Sequence, residues 1–195
     1  MQTHLEMDIE QIKIKMFEMA DLATEAIKLS VESLKNADLG VAKEIIKNDT
    51  RMDMLEIEID DDCIRLIVTR QPAASDLRFA LAMLKINTDI ERIGDIATNI
   101  AKETLKINGT PLIKPLIDIP RMAEIAIRMI QQAFASISEK DVAKAKAVIT
   151  MDDEIDQLNL QIYRELFTYM CEANKNISQS LSLIMVAKAL ERAGD

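Results

Sequence analysis

Glu91-Arg92-Ile93-Gly94-Asp95 returns one hundred residues later as Glu191-Arg192-Ala193-Gly194-Asp195. Upstream of each copy the match continues at an offset of 103: Met19-Ala20 with Met122-Ala123, Asp38-Leu39 with Asp141-Val142, Ala42-Lys43 with Ala145-Lys146, and Asp49 and Asp53 with Asp152 and Asp156. A loop three residues shorter accounts for the change of offset. The chain therefore reads as one unit written twice, and its fold must be a duplicated one.

The unit is helical. Phe79, Met83, Ile86, Ile90, Ile93, Ala97 and Ile100 alternate steps of four and three around the first copy of the motif, the apolar stripe of a packed helix. Leu77, Leu81 and Leu84 lie on another side and predict a second covering near that helix's start. Working outward, a first helix is expected over 7–35, with His4 ahead of it. A second is capped by Asp38 and runs to Thr69, and a third, capped by Ser75 or Asp76, runs to Ile107. Gln71-Pro72 separates the second from the third, because proline lacks the helical donor and disfavours helix at the residue before it. A fourth helix is expected over 120–137, a fifth over 141–172 and a sixth from Ile177 to the end. Gly109, Pro111, Pro115 and Pro120 gather helix breakers between the two sets.

The expected architecture is all-α, two tandem three-helix bundles, with a first repeat over 1–108, a linker over 109–119 and a second repeat over 120–195. Composition agrees: aromatics are 3% of 195 residues, with four glycines and four prolines, little material for strands and tight turns. After Asp95 the helix continues about three turns, whereas its counterpart stops at Asp195. This predicts a truncated sixth helix and a frayed second acidic site. Intact-mass analysis of the native protein tests that expectation.

A net charge of −9 without a Lys/Arg stripe argues against nucleic acid and favours cations. No apolar run is long enough to span a bilayer, and the stretch Met1–Gln11 has neither the basic nor the apolar block of a signal peptide, so a cytoplasmic protein is expected. Cys63 and Cys171 show no metal-type spacing and read as small buried hydrophobes. Twelve methionines, among them Met83, Met122, Met129 and Met185, read as core filler.

The duplicated acids carry the chemistry. Asp49 and Asp53 are four apart, as are Glu91 and Asp95, so each pair projects from one helix face. Counted from the turn near Ala73, the two pair centres differ in height by only about 3 Å along antiparallel helices. Asp152, Asp156, Glu191 and Asp195 repeat the coincidence around the turn near Asn174. Four carboxylates without imidazole or thiolate form an all-oxygen set suited to Mg²⁺, Ca²⁺, Mn²⁺ or iron, the alternative being two solvated acidic faces. Gly94 and Gly194, each costing about 1 kcal/mol inside a helix relative to alanine, imply close approach of a ligand shell or plain helix packing. Arg92 and Arg192 either steady carboxylates or form surface ion pairs.

The two acidic sets, the stretch Gln71-Pro72-Ala73-Ala74-Ser75-Asp76-Leu77-Arg78 and the run Asp95-Ile96-Ala97-Thr98-Asn99-Ile100-Ala101 resemble the PhoU family of phosphate-transport regulators over nearly the whole chain. The resemblance implies multinuclear metal clusters, of iron or zinc in some members and manganese or magnesium in others. Asp49, Asp53, Glu91 and Asp95 would serve one cluster, and Asp152, Asp156, Glu191 and Asp195 the other. It further implies a homodimer without catalysis that reaches the membrane only through partners. It would restrain phosphate uptake and the starvation response through the ATPase subunit of the phosphate ABC transporter and a membrane sensor histidine kinase. A carboxylate-cluster metalloenzyme and a metal-free structural helical protein are the competing readings; the missing histidines and the lack of a nucleophile–base pair disfavour the enzyme.

Overall fold

The structure is a computed structural model that describes residues 3–107 and 110–194. Six α-helices follow one another: α1 His4–Asn36, α2 Leu39–Arg70, α3 Ala74–Ile107, α4 Asp118–Glu139, α5 Val142–Glu172 and α6 Ile177–Gly194, with a 3₁₀ turn at Asn174–Asn176 ahead of the last. No strand occurs among the described residues. Helices α1, α2 and α3 pack on one another, as do α4, α5 and α6, and the two sets join where α1 meets α4 and α3 meets α6. One continuous apolar core, from Ile12 through Ile100 to Leu190, runs across both.

The duplication extends to single hydrogen bonds. Ala37 and Lys140 close α1 and α4 in the left-handed conformation at φ 53° and 54°. Asp38 N–H then donates to the Ser33 carbonyl at 2.8 Å, and Asp141 N–H to that of Ser136 at 2.9 Å. The side chains of Asp38 and Asp141 next accept the first free amides of α2 and α5, as their positions predict.

Several boundaries differ from the sequence reading. Helix α1 starts at His4 because Thr3 and Glu6 form a capping box, Glu6 N–H donating to Thr3 Oγ1 at 3.2 Å and Thr3 N–H to Glu6 Oε2 at 2.7 Å. His4 is thus helical. Helix α4 begins at Asp118, which places Pro120 at the third helical position, where its missing amide would have had no helical partner. The described connection over 110–117 is tied down. Ile113 N–H donates to Gln179 Oε1 at 2.5 Å, and Lys114 pairs with Glu165.

Two core assignments fail. Leu81 is 47% exposed, so the second line on α3 is covered only in part, Leu84 packing against the core and Leu77 being half-buried, and Met185 is 58% exposed rather than core filler. Met83, Met122 and Met129 are buried as expected.

Candidate metal-binding acidic faces

Helices α2 and α3 run antiparallel, and one bond fixes their register. The Asn87 amide, wholly buried, donates Nδ2 to the Glu56 carbonyl and to Asp60 Oδ1, both at 2.8 Å. This sets Glu91 level with Glu56 and Asp95 nearer to Met52. The carboxylates of the two helices therefore stand side by side, and their electrostatics record it.

Burial raises the Glu91 carboxyl above its ordinary range, and Asp95, Glu56, Asp53 and Asp49 raise it further. Asp49 is raised first by burial, with Asp53 and Asp95 adding to this against a hydrogen bond from Thr98 and the charge of Lys102. Glu56 is raised by burial, then by Asp60, Asp53 and Asp95. The first acidic set thus shares one electrostatic neighbourhood, extended by Glu56 and Asp60. Among the described residues no lysine or arginine forms an ion pair with any of these six carboxylates.

Glu56 and Asp60 went unmarked in the sequence although they carry the same four-residue spacing. At the repeat offset they become Asn159 and Tyr163, so a search by duplication discards them. Asn87 was missed for the same reason, its counterpart being Ala187.

In the second set, Asp156 is exposed and Asp152 half-buried on α5, while Glu191 is buried on α6. Asp152 Oδ1 lies 3.5 Å from where a Cβ on Gly194 would stand, so α5 and α6 meet here as α2 and α3 do. Asp195, with the fraying expected of it, lies outside the described residues. Glu191 accepts a bond from Lys188 Nζ at 2.5 Å.

The glycines answer to packing. A Cβ on Gly94 would overlap the end of the Met52 side chain, and one on Gly194 would lie 3.0 Å from Ile155 Cδ1. Beside Gly94 a cavity of about 280 Å³ opens between α1, α2 and α3, lined by Leu22, Ile45 and Met52 with Asp49 and Thr98 at its polar side. Among the described residues Arg92 ion-pairs only with Asp89 on its own helix, at 3.9 Å, and with none of the candidate ligands. Cys63 is buried as expected, its thiol pushed up to about 11 by burial with Asp60 and Asp62 nearby, whereas Cys171, expected to be buried too, is exposed.

The donor chemistry suits a hard cation, since clustered carboxylates with no ion-paired base repel one another and oxygen ligands are what such ions take. The side chains as they stand do not complete a coordination sphere: among the described residues no three acidic, histidine or cysteine side chains converge closely enough to hold one ion. The first face fits a cation by charge and donor type.

Comparison with known proteins supplies the remaining context. A family model described as the PhoU domain matches residues 16–104 and 119–195. A phosphate-specific transport system accessory protein PhoU homolog from Aquifex aeolicus is 39% identical over 185 residues, which cover 95% of this chain and 84% of the relative. The protein of that name from Deinococcus radiodurans is 33% identical over 100% of this chain and 92% of its own length. The crystal structure of PhoU from Pseudomonas aeruginosa superposes with a TM-score of 0.93 at 30% identity, covering 98% of this chain and 92% of that one. Among the described residues no helix is long and apolar enough to cross a membrane. With the duplicated bundle, the paired acidic faces and these relatives in agreement, the chain belongs to the PhoU family.

Proposed function

We propose that the chain is a non-catalytic regulatory adaptor of phosphate transport whose acidic faces take up metal ions. The single observation behind the metal part is the first face, where Glu91 meets four other carboxylates and no ion-paired base. The transport part is supported by relatives named as accessory proteins of the phosphate-specific transport system. Asp49, Asp53, Glu91 and Asp95, with Glu56 and Asp60 beside them, would hold ions of the first face; Asp152, Asp156, Glu191 and Asp195 would serve the second. Iron, manganese, magnesium and zinc are the candidates. Bound metal would supply positive charge that ties α2 to α3 and so stiffens the surface offered to a partner.

The expected partners are the ATPase subunit of the phosphate ABC transporter and the membrane sensor histidine kinase, with the chain acting as a cytoplasmic homodimer that restrains uptake and the starvation response. Elemental analysis of protein purified without chelator, together with pull-down by the transporter ATPase, tests both parts. Glu91→Ala/Asp95→Ala is expected to lose metal and weaken capture. A double variant that keeps both metal and partner at wild-type levels would overturn the reading.

A further inference from the structure

The two halves match in their carboxylates but not in the charge around them. At the offset that relates Glu91 to Glu191, Thr88 corresponds to Lys188. Glu191 is only 9% exposed, with Oε2 buried and without a hydrogen-bond partner, and Lys188 Nζ donates to its Oε1 at 2.5 Å from the preceding turn. A carboxylate that is buried with half of its acceptor capacity unused calls for positive charge. In α6 the chain itself supplies that charge. In α3 the equivalent Thr88 turns its hydroxyl back to the Leu84 carbonyl at 3.4 Å, and no base pairs with Glu91. The first face comprises Asp49, Asp53, Glu56, Asp60, Glu91 and Asp95, a formal charge of −6. The equivalent positions Asp152, Asp156, Asn159, Tyr163, Glu191 and Asp195, with Lys188 included, carry −3.

We infer that Lys188 is a built-in counter-ion that makes the halves unequal. The first face recruits a hard divalent cation from solution, whereas the second is partly neutralised from within and binds such an ion more weakly. This rests on the cation-binding reading above. It identifies position 88/188 as a residue that sets the difference, together with 56/159 and 60/163, where Asn159 and Tyr163 replace Glu56 and Asp60. One positive charge a few ångströms from a divalent ion, in the screened dielectric of a protein surface, shifts affinity on the order of tenfold.

The test uses the whole chain, freed of metal, and titrates Mn²⁺ while the electron paramagnetic resonance signal of the free ion is followed. Lys188→Met should tighten the weaker class of sites about tenfold and leave the tighter one alone; Thr88→Lys should weaken the tighter class by a similar factor. Both substitutions place a good helix former at an exposed position. Lys188→Arg, which keeps the charge, should behave as wild type. In chelator, Lys188→Met should melt at a lower temperature than wild type and Thr88→Lys at a higher one, because the first strips a buried carboxylate of its counter-ion and the second provides one. Normal Mn²⁺ binding with isotherms unchanged by either substitution would overturn the inference and leave the metal reading intact. Absence of Mn²⁺ binding in every form would overturn the metal reading and the claim that the halves differ in cation affinity; unchanged melting in chelator would then dispose of the counter-ion role too.

Discussion

At the scale of single residues, the carboxylates of the first face are held close with only partial compensation, from Thr98 and Lys102 at Asp49. Glu91, Asp49 and Glu56 have folded-state pKa values raised above the ordinary ones. The native state therefore binds protons at a pH where the unfolded chain has released them. Stability from these groups is present at low pH and lost as pH rises through the raised values, so at neutral pH they oppose folding. In metal-free protein, Glu91→Gln is expected to raise the melting temperature at pH 7, with the advantage over wild type shrinking as pH falls and the raised Glu91 carboxyl takes up its proton. Thermal unfolding across that fall in pH in the presence of chelator checks it. A variant that melts below wild type at neutral pH contradicts the assignment.

At the scale of elements, duplication preserved geometry while chemistry drifted. Glu18 on α1 pairs with Arg51 on α2 at 2.7 Å; at the repeat offset the residues are Arg121 and Glu154, and they pair at the same 2.7 Å with the charges exchanged. The position thus asks for opposite charges across the helix pair, without regard to which helix carries which sign. All four side chains are largely exposed, so each pair contributes only about 0.2–1 kcal/mol. Glu18→Arg alone should destabilise by about that amount, and Glu18→Arg with Arg51→Glu should recover it, as read by urea denaturation in low salt. Failure of the exchanged pair to recover the loss would mean that α1 and α2 distinguish the signs. The connection between the sets behaves like an element too. Its glycine and prolines read as a simple linker, yet Gln179 and Glu165 hold its described part against α5 and α6. Hydrogen bonds between positions 66 to 69 residues apart leave no mark in local sequence.

At the scale of the whole molecule, the two bundles share one apolar core, and Phe17 on α1 meets Phe134 on α4 edge-on with ring centroids 5.3 Å apart. Phe134 is buried at this junction, so Phe134→Ala is expected to cost about 3–5 kcal/mol, measured as a fall in the urea midpoint. Because the core is continuous, that loss should appear in a single transition; separate unfolding of the two halves in wild type would contradict a shared core.

Helix count and order, the Asp38 cap with its repeat at Asp141, and the duplicated acids were readable in the linear chain, because heptad spacing and repeat offsets are local or self-referential signals; the Thr3–Glu6 capping box was not, and Ser75 and Asp76, expected to cap α3, lie inside it because the helix already begins at Ala74. What surrounds each carboxylate was not readable either, since it depends on which side chains neighbouring helices bring to the same height. That register, set by Asn87 on Asp60, added Glu56 and Asp60 to the first face. Folding also left Leu81 and Met185 in the open, which apolar periodicity cannot foresee because it marks residues that are able to be buried and not which faces find a partner. The repeat predicts two equal acidic sites. Asn159 and Tyr163 in place of Glu56 and Asp60 already make them unequal, and the pairing of Lys188 with a buried Glu191, where Thr88 turns away from Glu91, widens the difference, because the worth of a charge depends on its distance to neighbours and to water, both decided by the fold.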